Sequence, residues 1–458
     1  MPFLLRLNAT FRPVLCRLLL LDRPVAPLSD AELAAEVARH YRWNFSVNLI
    51  EVASFFFGLS FISASTMVPL FISKLTDSPL PVGLAAVIAQ SAWFLPQLFT
   101  ARAVERLARK KPVVVNLGLF LERAPIWVLV IAALTAGQSA GLALGLFLIG
   151  YAWAGLGAGA VATAWQDLIA RCFPADRRGR FFGVSMFIGT SMGTIGAALS
   201  TQLLERFPFP TNFVYTFLIA ATGISVSWFF LSLTREPVQP VNTPRQSHQE
   251  FWAQIPHIPR RDHNFRRFLI ARLLLAMGGM GTGFVTVAAV QQWQVPDSMV
   301  GAFTAAMLVG QTLGNLIFGL LADRLGHKLP LELGALASLA AFVLAWLAPS
   351  AESYFAVFAL LGITLGAIIV SGILVVMEFG EPSRRPTYVG MVNTGVGLVS
   401  VAAPLLGAGL AGVDYDLLFA VSAVINLAAL VLMRWWVKEP RFVRPAVALP
   451  DATAQQHN

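Results

Sequence analysis

Four ionisable side chains lie among mainly hydrophobic neighbours, where their charge is costly. These residues are Glu51, Glu122, Arg123 and Arg272. In apolar surroundings a carboxylate either pairs with a cation or takes up a proton. When its cationic partner moves away, the proton affinity of the carboxylate rises. We therefore expect these residue types to form buried ion pairs or to bind protons, and intramembrane charges of this kind are commonly functional.

Motifs for enzyme chemistry are absent from the sequence. It contains no glycine-rich phosphate loop ending in Lys-Ser/Thr, no H-E-x-x-H and no G-x-S-x-G. Cys16 and Cys172 lie too far from each other and from histidine clusters to suggest a metal site or a redox pair. We expect no enzyme activity, no metal and no cofactor, and energy from a gradient or the substrate rather than from ATP.

The composition predicts that these residues are carried by membrane-spanning helices. Of 458 residues 57% are hydrophobic and 12% charged, whereas soluble domains average about 25% charged. A soluble enzyme, a disordered chain and a nucleic-acid binder therefore fit poorly. A spanning helix needs roughly 20 apolar residues, and continuous rather than alternating runs argue against a β-barrel. Twelve runs qualify, which predicts an all-α membrane protein: 45–72, 81–103, 112–135, 140–169, 181–204, 211–233, 265–292, 299–321, 330–348, 353–377, 388–411 and 415–436.

The basic residues predict the orientation of these helices. The formal net charge is +9, and 29 of the 33 lysines and arginines fall in the two terminal segments and the loops of one face. The opposite loops contain only Lys74 and Arg206. We expect the protein in the inner or plasma membrane of the cell. By the positive-inside rule both termini are then expected in the cytoplasm. The net charge is thus explained by topology, and no nucleic-acid partner is expected.

The segment before the first run carries a helix start signal. Ser29 with Glu32 three residues later forms the pattern of a capping box. We expect a short amphipathic helix through His40 on the cytoplasmic surface, with membrane lipid as its partner. A poorly ordered tail is the alternative.

The two halves of the chain resemble each other. Asn44-Phe45 recurs as Asn264-Phe265, and Arg235-Glu236-Pro237 recurs as Lys438-Glu439-Pro440, with offsets that drift from 220 to 203. Six plus six helices around a polar linker is a repeat architecture of secondary transporters. The predicted organisation is an arm, a six-helix bundle, a linker, a second bundle and a tail: 1–42, 43–237, 238–263, 264–440 and 441–458.

The segment after the eighth run carries a known family pattern. Residues Gly319 to Lys328 read GLLADRLGHK, which resembles the G-x-x-x-D-R-x-G-x-[KR] signature of the major facilitator superfamily. The first-half copy departs from it, with Ala101 for the glycine and Glu105 for the aspartate. The resemblance covers residues 43–440 and leaves the substrate open.

The resemblance implies a cytoplasmic gate at the signature. A glycine at the helix end would allow a neighbouring helix to approach, and the charged residues would latch the two bundles together. A simple topology anchor is the alternative. The gate residues are Glu105, Arg106, Gly319, Asp323, Arg324 and Lys328.

The resemblance also implies that the first, fourth, seventh and tenth helices line a central cavity. We expect Glu51 and Arg272 to pair across it and to couple transport to protons. A static ion pair, or an Arg272 that extends to the cytoplasmic surface, is the alternative. Further substrate candidates are Asn48, Gln291, Gln292 and Trp165.

Other charged residues in the spans are expected to be structural. Glu122 and Arg123 are adjacent, so they lie about 100° apart on a helix and should find separate partners. Asp167 and Glu378 lie near the cytoplasmic helix ends beside basic loops. The glycines at 278, 279, 281 and 283 predict a bend or an unwound turn beside the cavity, or a packing face.

The sequence therefore predicts a secondary active transporter that acts by alternating access. Few charges and several aromatic and amide side chains favour a small neutral or amphipathic solute, and proton-coupled efflux is one mode. A monomer is expected, with membrane lipid and protons as further partners. The alternatives are a non-transporting membrane assembly factor or sensor with the same fold, and a lipid translocator.

Overall fold

The chain forms a helical bundle without strands in the part that the structure describes. The structure is a computed structural model. It describes residues 11–20, 29–97, 100, 104, 107–238, 262–372, 374–379 and 385–443.

Among the described residues, eight helices precede the linker and eight follow it. The first eight are α1 Phe11–Leu18, α2 Asp30–Ser60, α3 Met67–Ser73, α4 Pro79–Ser91, α5 Val113–Thr135, α6 Ala140–Cys172, α7 Ala175–Arg206 and α8 Thr211–Ser232. The others are α9 His263–Trp293, α10 Asp297–Leu325, α11 Lys328–Trp346, α12 Ser353–Ser371, α13 Leu374–Phe379, α14 Arg385–Ala411, α15 Tyr415–Trp436 and α16 Pro440–Val443. Within the described residues, ten helices are long and apolar enough to cross a membrane. The predicted all-α membrane fold is confirmed.

The first span differs from its prediction at both ends. The capping box forms, since the Ser29 hydroxyl accepts from the Glu32 backbone N–H at 3.3 Å and the Glu32 carboxylate accepts from the Ser29 N–H at 2.8 Å. The helix does not end at His40, however, but continues as α2 to Ser60. The predicted end at His40 is wrong, because no glycine or proline directly after His40 ends the helix. Past Ser60 the chain turns before α3 begins at Met67.

Two predicted boundaries fall elsewhere or outside the described residues. The boundary at 42 and 43 lies inside α2. Most of the predicted linker 238–263, and the tail beyond 443, lie outside the described residues.

Two helices contain irregular turns. In α9 the residues Gly279–Phe284 form a 3-10 segment, so the glycine-rich stretch departs from regular α-helix. A Cβ at Gly278 would lie 2.5 Å from Asn426 Nδ2, which donates to the Gly278 carbonyl at 3.0 Å. In α5 two successive π-helical turns cover Val113–Leu117 and Leu119–Arg123. Such turns are rare in helices and occur often at functional sites.

The helices pack as two halves that meet along two seams. In the first half α2 packs against α7 and α8; in the second half α9 packs against α14 and α15. Between the halves, α7 packs against α10 and α4 packs against α14. At the second seam a Cβ on Gly83 would lie 2.8 Å from the Ala408 Cβ, so the helices approach backbone to backbone.

The matched residues of the two repeats contact each other in equivalent ways. Asn44 Nδ2 donates to the Arg235 carbonyl and its Oδ1 accepts from the Arg235 N–H, both at 2.9 Å. Asn264 makes the same two bonds to Lys438 at 3.0 and 2.9 Å. In the first half the asparagine thus bonds α2 to the chain that follows α8, and in the second half it bonds α9 to the chain that follows α15.

Glu236 and Glu439, which directly follow Arg235 and Lys438, accept hydrogen bonds from backbone N–H groups near helix N-termini. The Glu236 carboxylate accepts from the backbone N–H groups of Lys110 and Lys111 at 2.7 and 2.9 Å. Its counterpart Glu439 accepts from the Lys328 N–H at 2.9 Å. Carboxylates at this position satisfy free N–H groups and complement the helix dipole. Burial nevertheless raises the pKa of Glu236 above its ordinary value, and the two N–H bonds offset part of that rise.

Candidate functional site

A cavity of about 620 Å³ lies between the two halves. Its volume is in the range of small-molecule sites. Large aromatic side chains of the first half form one wall: Phe56, Trp93, Phe94 and Tyr151. Polar side chains of the second half form much of the other: Arg272, Thr282, Gln311, Ser338, Thr364 and Ser400. The large aromatic side chains of the cavity thus come from the first half, and its positive charge and most of its polar side chains come from the second, among apolar residues of both halves.

Arg272 brings a positive charge to the polar wall. It lies on α9, is 7% exposed and lines the cavity. It forms no ion pair with any described residue, and its Nε has no hydrogen-bond partner there. Leaving a buried charge without a counter-charge costs several kcal/mol. An anion in the cavity would supply the missing partner.

The halves are bonded to each other at the face opposite the termini. Lys74 Nζ lies 2.7 Å from Asp297 Oδ1. Deeper in the seam the hydroxyls of Thr66 and Thr304 are 2.6 Å apart. The Thr286 hydroxyl also donates to the Ser65 carbonyl at 2.7 Å.

At the terminal face, the side that carries the described chain ends, the ion pairs between described residues lie within one half. Arg171 lies 3.6 Å from Glu236 in the first half, and Arg441 lies 2.9 Å from Glu378 in the second. No ion pair at this face joins the halves in the described part of the chain. The polar contacts that join described residues of the two halves therefore lie at the opposite face.

Several predicted substrate residues do not line the cavity. Asn48 is fully buried and donates to the Asn44 carbonyl at 2.8 Å. Trp165 packs edge-on against Phe182. Gln291 and Gln292 lie at the end of α9 and contact α15: Gln291 Oε1 accepts from the Tyr415 hydroxyl at 3.0 Å, and Gln292 Nε2 lies 3.5 Å from Asp416 Oδ1.

The predicted ion pair between Glu51 and Arg272 is not formed. The Glu51 carboxylate faces α8, where the Ser227 hydroxyl donates to it at 3.1 Å. Its neighbour Val52 faces α7 instead, against Gly189. In the repeat Arg272 corresponds to Val52, one position after Glu51, and one position corresponds to about 100° on a helix. Glu51 is therefore turned into the first half, away from the cavity.

Glu122 and Arg123 do pair with each other, contrary to the prediction. Arg123 Nη1 lies 2.8 Å from Glu122 Oε1, and the guanidinium stands over the Phe55 ring at 5.0 Å from its centroid. Both residues belong to the second π-helical turn, whose geometry departs from the α-helix assumed for them. The arginine side chain is also long enough to bend back to its neighbour. They lie in the first half near Glu51 and do not line the cavity.

The two remaining span carboxylates contact basic residues of their own half. Asp167 lies 3.0 Å from Lys110 Nζ and 3.3 Å from Arg171 Nη2. Glu378 lies 2.9 Å from Arg441. Their structural role stays a prediction.

The predicted gate lies only partly within the described residues. Glu105, Arg106 and the Asp323 side chain lie outside them. Arg324 is exposed, and Lys328 pairs with Glu332 of its own half at 3.0 Å. The latch between the halves therefore stays a prediction.

The two signature glycines differ in their surroundings. A Cβ at Gly319 would meet no described atom within 4 Å, so the expected close helix approach is not formed in this structure. Gly326 has a backbone φ of 90°, which favours glycine. A Cβ there would collide with the carboxylate of Glu439.

Sequence reasoning missed Gln311 and most of the aromatic wall. Gln311 is 7% exposed and lies in the apolar helix α10, so an amide in an apolar run was an available signal. Trp93 and Tyr151 gave no comparable signal, because apolar helices present aromatic residues to lipid as well as to cavities.

The family is decided by comparison with known proteins. The model of the Major Facilitator Superfamily matches residues 50–293 and again residues 268–452. The chain belongs to the major facilitator superfamily. The first match runs through the first half and into α9, and the second covers most of the second half. The chain is an integral membrane protein of this family.

Two curated relatives match part of the chain. The 3-(3-hydroxy-phenyl)propionate transporter of Escherichia coli (strain K12) is 30% identical over 178 residues, 38% of this chain and 42% of that protein. The 4-hydroxybenzoate transporter PcaK of Pseudomonas putida is 27% identical over 191 residues, 40% of this chain and 42% of that protein. The chain thus matches less than half the length of each.

Solved structures share the fold at low sequence identity. A variant of the nucleoside transporter NupG superposes with a TM-score of 0.64 at 14% identity, over 86% of this chain and 100% of that one. A POT family transporter in complex with 5-aminolevulinic acid gives 0.62 at 12% identity, over 86% and 97%.

Proposed function

We propose that this protein is a secondary active transporter of an organic anion that combines an aromatic ring with a carboxylate. Alternating access moves the solute through the cavity between the halves, a mechanism typical of the family. Arg272 binds the carboxylate and the aromatic wall binds the ring.

The observation that carries the proposal is the unpaired Arg272. An arginine binds a carboxylate through two parallel N–H bonds, and such charge-assisted bonds are strong. Since no described acidic residue neutralises Arg272, the anion is expected from outside the chain. The neutral or amphipathic solute predicted from composition is therefore narrowed to an amphipathic anion.

The opposite wall supports a flat apolar group on the same solute. Trp93 and Tyr151 supply ring faces and edges, which interact favourably with aromatic groups beyond simple area burial. Both curated relatives are named as transporters of hydroxylated aromatic acids. Their names agree with a cavity that has one cationic and one aromatic wall.

The basic terminal face supports a cytoplasmic location of both chain ends in a cell membrane. With that orientation the face joined by Lys74 and Asp297 is extracellular. The same cavity would serve export, in which the solute binds from the cytoplasm and is released outside, and import, in which these steps are reversed.

Exchange in proteoliposomes tests the proposal. Purified protein is reconstituted with internal unlabelled 4-hydroxybenzoate, and the uptake of labelled 4-hydroxybenzoate is compared with that of labelled 4-hydroxybenzamide in matched vesicles. The amide keeps the ring and hydroxyl but carries no charge. We expect exchange of the acid only. Equal exchange of both would contradict a role for Arg272, and exchange of neither would support the non-transporting alternative.

A further inference from the structure

One buried amide of the cavity lacks a hydrogen-bond partner among the described residues. Gln311 lies on α10, is 7% exposed and lines the cavity. Its side chain forms no hydrogen bond to any residue that the structure describes. An amide carries two N–H donors and an acceptor oxygen, and burying these groups without partners is unfavourable. A hydrogen-bonding group of the solute would supply the missing partner.

The position of Gln311 is fixed by the close packing of α10 on α12. A Cβ at Gly362 would lie 2.8 Å from the backbone nitrogen of Gln311, and a Cβ at Gly366 would lie 3.0 Å from its carbonyl oxygen. The backbones of the two helices therefore approach with little space between them. Because a rotation of α10 would press these backbones together, the packing keeps Gln311 on the cavity side of its helix.

Hydroxyl groups that line the same cavity find partners within the chain. The Thr364 hydroxyl donates to the Leu360 carbonyl one turn back at 3.0 Å. The Thr304 and Thr66 hydroxyls are 2.6 Å apart. A serine or threonine on a helix can generally bond a carbonyl of the preceding turn in this way. Gln311 forms no such bond, so it is the uncharged cavity residue that most needs a partner from the solute.

Gln311 lies deeper in the bundle than Arg272. The bonds of Lys438 to α9 and of the adjacent Glu439 to the chain after α10 place the terminal-face ends of these two helices at one level. Counted from those ends at 1.5 Å per residue, Arg272 lies about 14 Å deep and Gln311 about 21 Å deep. A solute whose carboxylate binds Arg272 would therefore present the far end of its ring to Gln311.

We propose that Gln311 recognises a hydroxyl group on the aromatic ring of the solute, at the position opposite the carboxylate. The phenolic O–H donates to the amide oxygen of Gln311. A site built to bond a hydroxyl discriminates strongly against the analogue that lacks it, because the buried amide is then left unpaired. This inference rests on the proposed function and narrows its solute to a hydroxylated aromatic acid.

Two acids that differ only in the hydroxyl test this role. Titration calorimetry on the purified full-length protein compares benzoate with 4-hydroxybenzoate. We expect the wild type to bind 4-hydroxybenzoate about tenfold or more tightly than benzoate. In Gln311→Met, which keeps the length of the side chain without its amide, the preference should fall to within about twofold. Equal affinities in the wild type, or an unchanged preference in Gln311→Met, would overturn the proposal.

The preference separates recognition from structural damage. A variant that only disturbed the packing of α10 would lose affinity for both acids alike, and that result would overturn the proposal. Gln291→Met is the matched control, since Gln291 is an amide that accepts from the Tyr415 hydroxyl at 3.0 Å and does not line the cavity. It should keep the wild-type preference. A preference that falls equally in both variants would contradict a specific role of Gln311.

The position of the hydroxyl provides a test on the wild type alone, which covers the case in which Gln311→Met fails to fold. In 3-hydroxybenzoate and 2-hydroxybenzoate the hydroxyl lies progressively nearer to the carboxylate. Affinity should fall in the order 4-, 3- and 2-hydroxybenzoate, because only the first places its hydroxyl at the end of the ring that faces Gln311. An equal or reversed order would overturn the proposal.

Failure of this inference and failure of the proposed function give different results. If benzoate and 4-hydroxybenzoate bind equally well and both require Arg272, recognition by Gln311 is contradicted while binding of an aromatic anion stands. If the wild type binds neither acid, the proposed function fails and the role of Gln311 fails with it.

Discussion

Lys74 and Asp297 form an ion pair that joins the two halves, with 2.7 Å between Nζ and Oδ1. Lys74 follows α3 in the first half and Asp297 begins α10 in the second. Because an alternating-access transporter must separate its halves at this face to open it, the pair should stabilise the state described here and be absent from the other.

Breaking this pair should shift the conformational equilibrium. The two side chains are partly exposed, so the pair contributes at most about 1 kcal/mol, equivalent to roughly fivefold in an equilibrium constant. We expect Lys74→Met to increase, by up to that factor, the labelling of a cysteine placed at Ser65 by a reagent added from the opposite face. The double exchange Lys74→Asp with Asp297→Lys should restore the wild-type rate. Equal labelling in all variants would contradict a role of the pair in closure.

Substitution of Gly301 should act on the same equilibrium through packing. A Cβ at Gly301 would lie 2.6 Å from the backbone nitrogen of Thr201, which cannot move without its helix. Gly301→Ala should therefore separate α10 from α7 and increase labelling at position 65. Gly409→Ala is the control, because no described atom lies within 4 Å of a Cβ there. If both variants label alike, the α7–α10 seam does not limit opening.

Glu236 should make stability depend on pH. Its pKa in the folded protein is raised by burial above the ordinary value of 4.5, so the folded state holds this proton more tightly than the unfolded state. Its contribution favours folding below pH 4.5 and declines as the pH rises through the raised pKa. Glu236→Gln should remove that decline from thermal unfolding midpoints measured across this range.

Glu32 offers a control with the opposite sign. Hydrogen bonds from Ser29 lower the pKa of this exposed carboxylate, so its contribution is lost as the pH falls. Glu32→Gln should therefore leave the Glu236 decline in place. If stability still declines with rising pH in Glu236→Gln, the decline comes from other titratable groups.

The sequence predicted much of the helical framework because lipid imposes length and hydropathy on each span. It also predicted the repeat, since Asn44 and Asn264 occupy the same position in each half and make the same bonds. The break after Ser60 was not predictable from the sequence pattern, because the turn that follows, Phe61 to Thr66, contains no charged residue, glycine or proline.

The candidate site was predicted less completely because it depends on the direction of each side chain. Arg272 was identified as a costly charge, but its lack of a partner depends on where Glu51 points. The pairing of Glu122 with Arg123 depends on a π-helical turn, which hydropathy does not reveal. Whether Gln311 faces the cavity depends on the rotation of α10 about its own axis, which the sequence alone does not give.

The most direct test of the central claim is the affinity of purified protein for 4-hydroxybenzoate, measured by titration calorimetry for the wild type and Arg272→Gln. Losing a hydrogen-bonded buried charge contact costs about 1.5–3 kcal/mol, so the Kd should rise roughly tenfold to more than a hundredfold. Arg206→Gln, an exposed arginine at the end of α7, is the control and should bind as the wild type does. An unchanged Kd in Arg272→Gln would contradict the account.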